Sequence, residues 1–255
     1  MKNKRMVLLS VLMVVTFTLT AQEFKVAKNT GRLEINIGRV TVEGHAGNEI
    51  VFTSRDGRVE KDQRAEGLRS INSLGLEDNT GLGINVTEKE NVVTVHQLKK
   101  TNSPDIKILV PRGMIVSYAY DSQYGASTAH FSNMSNEIEV DALYNSVELE
   151  KVTGPLTVKT IYGHVEVKLD GSMKGPISIV SVYGYVDLSI PTATKANLKM
   201  HTSYGEILAD PAFKIEIDRE GEMVRYSDKV SGKLNGGGIS IDLSCNYGKV
   251  YLRKI

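Results

Sequence analysis

The sequence has 255 residues and a nearly balanced charge, with 31 Lys and Arg residues against 30 Asp and Glu residues and a formal net charge of +1. This balance argues against a strongly basic nucleic-acid-binding protein and against a polybasic patch for membrane surfaces. The single cysteine excludes an intramolecular disulfide and a cysteine-rich zinc site, and 23 Gly and 11 Tyr residues without any Trp favour a β-rich chain with many tight turns.

The first 22 residues have the layout of a secretory signal peptide. A basic start at 1–5 is followed by an apolar run at 6–19 and by small or polar residues at 20–22. We expect residues 1–22 to be cleaved on export, so that a single β-helical domain over 23–255 acts in the periplasm, at the outer surface or in the medium. An uncleaved N-terminal anchor is the alternative. We expect no transmembrane segment in the mature chain, because no later stretch is apolar enough.

The first part of the mature chain predicts short strands in which apolar and polar residues alternate. They cover residues 31–37, 38–43, 49–53, 82–87, 91–96 and 106–110. The charged segment between Arg55 and Asn79 lacks this alternation. It is the place where we expect a helix, over about residues 58–70.

A dipeptide of Tyr followed by Gly, or once by Asn, recurs through the second half of the chain. Successive tyrosines are 20, 18, 21, 21 and 43 residues apart, and the last spacing is close to two periods with an insertion. The dipeptides are Tyr124-Gly125, Tyr144-Asn145, Tyr162-Gly163, Tyr183-Gly184, Tyr204-Gly205 and Tyr247-Gly248. Repeats of this length are typical of solenoids, in which each unit packs on its neighbours.

The residues around each tyrosine form aligned columns, which indicate a strand, a corner and a second strand. Apolar residues stand six and four positions before the tyrosine and three and five positions after it. The residues two positions before it are small: Ala142, Thr160, Ser181, Thr202 and Cys245. The residues two positions after it share no chemistry and are expected to face outward: Ser146, His164, Tyr185, Glu206 and Lys249. Glycine at the corner is expected because it permits positive φ.

These units predict an all-β protein, a single-stranded right-handed parallel β-helix with coils of about 20 residues. The handedness follows from the usual crossover preference and not from any residue. The charged segment Lys214–Gly236 interrupts the repeat, and we interpret it as a loop or hairpin that protrudes from the stack.

This order of motifs resembles the bacterial secreted putative-adhesin domain family. The resemblance rests on Gly31-Arg-Leu-Glu-Ile and Gly38-Arg-Val-Thr-Val, on Ile106-Lys-Ile-Leu-Val-Pro111, on the serial Tyr-Gly-x-Val/Ile units, and on the closing Asn235-Gly-Gly-Gly-Ile-Ser-Ile and Tyr247-Gly-Lys-Val-Tyr-Leu. It covers about residues 24–255 and implies an exported β-helical protein. The family's name points to adhesion, and the family brings no catalytic motif to place on this chain.

The sequence contains no clear metal or catalytic constellation, so we expect no cofactor, no metal and no catalytic residue. The turn Gly236-Gly237-Gly238 before Asp242 lacks the tandem copies of a calcium-binding β-roll. Cys245 falls in the small inward column, which makes it a core residue. The histidines lack the short spacings of metal ligands: His45, His96, His130, His164 and His201. The acidic residues compared across the repeat units stand at different offsets from the tyrosine: Asp170, Asp187 and Glu206.

The tyrosine column has two interpretations. In the first, the rings stack on one another at the strand spacing of about 4.8 Å and contribute buried area. This packing is favoured because the column shares its parity with the inward residues before it. Alternatively, a row of exposed rings would dock a glycan or an apolar protein surface. Further candidates for partner contact lie outside the column: Tyr118, Tyr185, Tyr251, Arg219 and Arg225.

The sequence thus predicts an exported, non-catalytic protein of the cell envelope or surface, an adhesin or binding scaffold that uses the faces of the β-helix. Its expected partner is an envelope protein or a glycan, and not nucleic acid. One alternative is a periplasmic structural or sensing module that binds a protein through residues 214–236. A second alternative is a carbohydrate-active enzyme built on a β-helix, which would need clustered carboxylates.

Overall fold

A computed structural model of the protein describes residues 22–56, 63–68, 71–169, 171, 173–218 and 229–255. Within these residues the chain forms 21 strands and one turn of 3-10 helix, Gln63–Ala65. The strands are β1 (Glu23–Val26), β2 (Thr30–Asn36), β3 (Arg39–His45), β4 (Ile50–Ser54), β5 (Ile84–Lys89), β6 (Val92–Gln97), β7 (Asp105–Pro111), β8 (Gly113–Tyr120), β9 (Thr128–Met134), β10 (Ile138–Ala142), β11 (Ser146–Val152), β12 (Leu156–Thr160), β13 (Val165–Leu169), β14 (Ile177–Ser181), β15 (Val186–Ile190), β16 (Ala196–Thr202), β17 (Ile207–Ala209), β18 (Ile215–Ile217), β19 (Lys229–Leu234), β20 (Ile239–Cys245) and β21 (Val250–Lys254).

The expected all-β class is confirmed. The helix expected over residues 58–70 is described only at 63–68, where the 3-10 turn is the one helical element. Strands β2 to β7 lie close to the predicted ones, because alternation of apolar and polar residues is the pattern that a strand buried on one face requires.

The strands form two sheets. Sheet A has the order β1-β4-β7-β3-β9-β11-β13-β15-β21-β17, and sheet B has the order β18-β19-β16-β20-β14-β12-β10-β8-β2-β6-β5. From β6 to β18, consecutive strands alternate between the sheets. We call a sheet-B strand, its corner and the following sheet-A strand a coil. Neighbouring coils pair in parallel through both sheets, as β10–β11 does with β12–β13.

The coils do not stack in chain order. The first coil, β2–β3, lies between β6–β7 and β8–β9, and the last coil, β20–β21, lies between β14–β15 and β16–β17. Ile241 of the last coil therefore pairs with Ile177 on one side and with Leu198 on the other. An inserted coil continues the same columns, because all coils carry similar residues at equivalent positions.

Antiparallel strands cover the two ends of the stack. At one end β5 pairs with β6, and β4 pairs with β7 and β1; at the other end β19 pairs with β16 and β18. The segment 214–236 was expected to protrude, but its arms β18 and β19 extend sheet B. This pairing satisfies backbone groups that a bare sheet edge would expose. Arg219 and Arg225 lie outside the described residues.

The core lies between the two sheets, and the predicted inward columns are confirmed. One fully buried column of register partners runs through sheet A: Val147, Val165, Val186 and Val250. Ile207 continues this column on β17 but is only half-buried. Ala209, which continues the neighbouring inward column, is exposed. Strand β17 is the last described strand of sheet A, so no coil of the described part of the chain covers this end of the column.

Candidate functional site

Each corner from Tyr144 onward begins with a small buried side chain, and most of these side chains bind the backbone of a corner. Thr202 Oγ1 donates a hydrogen bond to the carbonyl of Gly248 at 2.9 Å, and Cys245 Sγ donates to the carbonyl of Gly184 at 3.3 Å. Burial raises the pKa of the Cys245 thiol, which keeps it protonated. The prediction that Cys245 is a core residue is confirmed.

The corner glycines are needed because neighbouring coils approach closely, and the expectation of positive φ is wrong for most of them. Among the corner glycines, only Gly125 has a positive φ, of 76°. A Cβ atom on Gly163 would lie 1.9 Å from the carbonyl oxygen of Asn145 in the next coil. A side chain at this position would force the two coils apart.

Replacing Gly184 by Ala is therefore expected to lower the free energy of unfolding by about 1–3 kcal/mol, with urea denaturation as the measurement. The new Cβ would lie 2.3 Å from the carbonyl oxygen of Gly163 and 2.9 Å from the Cα of His164. The control is Gly75→Asn, because Gly75 has φ 74° and no atom within 4 Å of an added Cβ, and Asn tolerates this φ. Equal losses in both variants would contradict the close-approach explanation.

Five corner tyrosines stack on one another along the outside of the molecule. In spatial order this tyrosine ladder consists of Tyr144, Tyr162, Tyr183, Tyr247 and Tyr204. Neighbouring ring centroids are 4.9–5.2 Å apart, and the ring planes lie within 12° of parallel. The exposed fraction of the residue rises from 37% at Tyr144 to 75% at Tyr204. The inserted last coil places Tyr247 between Tyr183 and Tyr204.

The expected stacking of the rings is confirmed, but the inward direction inferred from their parity is wrong, because the rings are exposed. The inward alternation ends at the small residue two positions before each tyrosine, such as the fully buried Thr160. The turn that follows breaks the period of two and directs Tyr162 to the outside. The rings cover each other's faces instead of entering the core, and the hydroxyl groups stay at the surface.

Tyr124 shares the dipeptide but does not join the ladder. The ammonium group of Lys100 lies 4.6 Å from the centroid of its ring. The backbone carbonyl of Tyr124 accepts a hydrogen bond from the Tyr120 hydroxyl, and the following Gly125 has a positive φ. This corner therefore has a different conformation from the later ones.

Two columns flank the ladder. On one side, in spatial order, are half-buried and uncharged residues: Leu143, Ile161, Val182, Asn246 and Ser203. On the other side, beyond the Gly and Asn column, lie the residues that were expected to face outward: Ser146, His164, Tyr185, Lys249 and Glu206. The His164 ring stacks on Tyr185 at 4.6 Å between centroids. Lys249 Nζ forms an ion pair with Glu206 at 2.7 Å, so this side of the ladder carries no net charge.

Three carboxylates form a row on the outer face of sheet A that the sequence analysis did not predict. Glu148, Glu166 and Asp187 are register partners on β11, β13 and β15, and neighbouring strands of a sheet are about 4.8 Å apart. All three stand four residues after a corner tyrosine, and an alignment at this offset would have found them. Glu206, which the sequence set beside Asp187, lies in another column, and Asp170 lies outside the described residues.

Each of these carboxylates is bound by a different side chain. His130 Nδ1 lies 3.1 Å from Glu148, and Arg253 Nε lies 2.7 Å from Asp187. Glu166 accepts a hydrogen bond from the Tyr185 hydroxyl. Acid–base hydrolysis of a glycoside requires two carboxyl groups that face the substrate. The partners of this row hold its carboxyl groups to the protein surface.

Tyr185 and Tyr251, two predicted contact residues, are half-buried in an aromatic group beside the ladder. Desolvation, followed by the hydrogen bond to Glu166, raises the pKa of Tyr185 to about 12. The Tyr251 ring meets Tyr185 edge-on at 6.1 Å, and the guanidinium group of Arg253 lies 4.9 Å from the Tyr251 centroid. Both rings are thus engaged within the protein.

Tyr118, a third predicted contact residue, is buried in the core, and that prediction is wrong. It pairs in register with Val140 on an inward column of sheet B, and its ring packs edge-on against Phe131 at 6.0 Å. Desolvation raises the pKa of its hydroxyl.

The described part of the chain has neither a metal-binding cluster nor a membrane-spanning helix. It contains no group of three or more His, Cys, Asp or Glu side chains arranged to hold a metal ion. It also contains no helix with the length and apolar character needed to cross a membrane.

Residues 132–233, from β9 to β19, match the profile of the family described as Toastrack DUF4097. This stretch, which is less than half of the chain, is similar to the Toastrack DUF4097 family. The relationship to adhesin-like domains of unknown function that the sequence predicted is confirmed, over a shorter range than the expected 24–255. The Toastrack DUF4097 match includes four of the five ladder tyrosines, all except Tyr247. No curated protein matches the chain significantly.

Two solved structures resemble the chain. A putative cell adhesion protein from Clostridium sporogenes ATCC 15579 aligns with a TM-score of 0.48 and 12% identity, over 92% of this chain and 100% of that chain. A putative adhesin from Bacteroides fragilis NCTC 9343 aligns with a TM-score of 0.30 and 11% identity, over 93% of this chain and 98% of that chain. Both scores are below 0.5, so neither adds to what the residues of this chain indicate.

Proposed function

We propose that the protein is an exported, non-catalytic binding scaffold of the cell envelope or surface, and that the tyrosine ladder is its contact surface. The observation that carries this proposal is the row of five stacked tyrosines exposed on one edge of the molecule. Contiguous exposed aromatic surface is uncommon in soluble proteins and marks interaction sites.

The proposal includes the organisation of the chain. Residues 1–22 act as a cleaved signal peptide, and residues 23–255 form one β-helical domain whose coils of about 20 residues wind to the right. The apolar run at 6–19 supports the signal peptide, and the stack of coils that forms the two sheets supports the single β-helical domain. The crossover preference of parallel strands supports the handedness.

The ladder is a better contact surface than the neighbouring face of sheet A. On that face the row of carboxylates is already bound, as in the pairs Glu148–His130 and Asp187–Arg253. The five ladder hydroxyls make no hydrogen bond to any described residue, so they remain available to a ligand. This contrast also supports a non-catalytic role.

A second candidate surface is the end of the stack formed by the edge strands β17 and β18. Leu208 on β17 is 42% exposed and Ile217 on β18 is 57% exposed, next to strand edges that pair with no other described strand. A protein partner could add a strand there. This surface includes part of the segment 214–236, so it preserves the alternative of a module that binds a protein through that segment.

Retention of the purified protein on isolated cell envelopes tests the proposal. The double variant Tyr162→Ser and Tyr183→Ser removes the centre of the ladder and is expected to lower retention at least about tenfold. The control Tyr124→Ser removes an exposed tyrosine outside the ladder and should keep wild-type retention. Thermal melts confirm that both variants are folded. Loss of retention in Leu208→Lys and not in the ladder variant would favour the end surface instead.

A further inference from the structure

The ring faces of the tyrosine ladder are mostly covered by the rings themselves. Tyr162, Tyr183 and Tyr247 each have a stacked ring on both sides, whereas the two end rings, Tyr144 and Tyr204, each stack on one ring of the ladder. Tyr204 is also the most exposed ring, at 75%. Of the two end faces, that of Tyr204 is therefore the more open one among the described residues, since Tyr144 is only 37% exposed. Ring edges and hydroxyl groups form a row along the length of the ladder.

The ladder is too narrow for a stable protein interface. Four steps of 4.9–5.2 Å make a strip roughly 20 Å long and one ring wide. A strip of this size offers at most a few hundred square ångström, against roughly 800 Å² per partner in a standard protein complex. A single extended polymer chain matches these dimensions better than a folded protein.

The surroundings of the ladder favour an uncharged ligand. The column on one side contains no charged residue. On the other side, near the open end, Lys249 and Glu206 neutralise each other at 2.7 Å. Recognition of a phosphate- or carboxylate-bearing polymer needs unpaired Arg or Lys side chains in a row, and the ladder has none beside it among the described residues.

Resting on the proposed binding function, we infer that the ladder binds a neutral polysaccharide, with one sugar ring stacked on the open face of Tyr204. A pyranose ring has an apolar C–H face that fits an aromatic face, and its rim of hydroxyl groups needs donors and acceptors. Phenol hydroxyls supply both. Further donors and acceptors lie next to Tyr204, on Ser203 of the same coil and on the Glu206–Lys249 pair that joins it to the neighbouring coil.

Affinity electrophoresis of the purified protein tests this inference, with gels that contain dextran, mannan, hydroxyethyl cellulose or, as the anionic comparison, alginate. At least one neutral polymer is expected to retard the protein, equally at low and high salt. Tyr204→Ala is expected to weaken this binding about tenfold, because the stacking face is lost. Tyr204→Phe keeps the face and should bind nearly as the wild type, and Tyr124→Ala is the control outside the ladder.

Different results would contradict the neutral ligand and the ladder as a contact surface. Retardation by alginate alone, weakened by salt, would overturn the neutral ligand, as would the absence of retardation by all three neutral polymers. If envelope retention still depended on Tyr162 and Tyr183 in either case, the ladder would be a contact surface for another class of partner. Retardation that is equal in Tyr204→Ala and wild type would overturn the assigned stacking position.

Discussion

Replacing Val186 by Asp is expected to unfold the protein. Val186 is fully buried on β15, with Val165 and Val250 as its register partners on either side. An unpaired carboxylate in this column has no polar group to bind, and such substitutions cost more than about 4 kcal/mol. Because a typical domain is stable by about 5–15 kcal/mol, one such change removes most of the stability. Circular dichroism during thermal and urea denaturation measures the effect.

The matched control introduces the same residue on the other face of the same strand. Ser189 lies on β15 in register with Lys168 and Arg253, so an Asp at this position meets basic neighbours at the surface. Ser189→Asp is expected to leave the unfolding midpoint nearly unchanged. A cooperative transition near the wild-type midpoint in Val186→Asp would show that the inward and outward assignment of β15 is incorrect.

The columns that place Val186 in the core could be predicted because a strand buried on one face must alternate. The corners could be predicted because Tyr-Gly recurs at a nearly constant spacing. The order of the coils could not. Ile177, Leu198 and Ile241 are interchangeable apolar residues in one column, so the sequence permits any of their strands to neighbour any other. Long-range pairing decides that order, and no local pattern records it.

The candidate site was only partly predictable for a related reason. Within a strand, alternation shows whether a residue faces the core or the solvent. The alternation does not continue through the turn at each corner, so the exposure of Tyr162 could not be derived from its parity. The same gap explains the corner glycines. The sequence shows that Gly163 is small, whereas the proximity of the Asn145 carbonyl that requires it exists only once two coils have stacked. By contrast, the row of Glu148, Glu166 and Asp187 was visible at a fixed offset from the tyrosine.

Because the last coil is inserted into the stack, a substitution in its core is expected to expose more than that coil. Leu243 lies on the inserted β20, between Ile179 of β14 and Met200 of β16, and both Leu243 and Met200 are buried. In a stack, each coil contacts only its neighbours, so disruption of one coil releases whatever lies beyond it. Leu243→Asp is therefore expected to expose residues 196–217 and 229–234 as well as its own coil, 239–255. Met200→Asp should expose 196–217 and 229–234 and leave 239–255 packed on β14–β15.

Hydrogen exchange read by mass spectrometry separates these outcomes peptide by peptide. A stack in chain order would give the opposite result, because the coil β16–β17 would then lie inside and the last coil outside. Met200→Asp would release both coils, and Leu243→Asp would release only the last one. Protection of 196–209 in Leu243→Asp would therefore contradict the inserted order. The same exchange data bear on the ladder, since Tyr204 keeps its stacking partner Tyr247 only while the last coil remains between its neighbours. The position of the Tyr204 ring, whose outer face is assigned to the ligand, thus depends on the last coil, β20–β21.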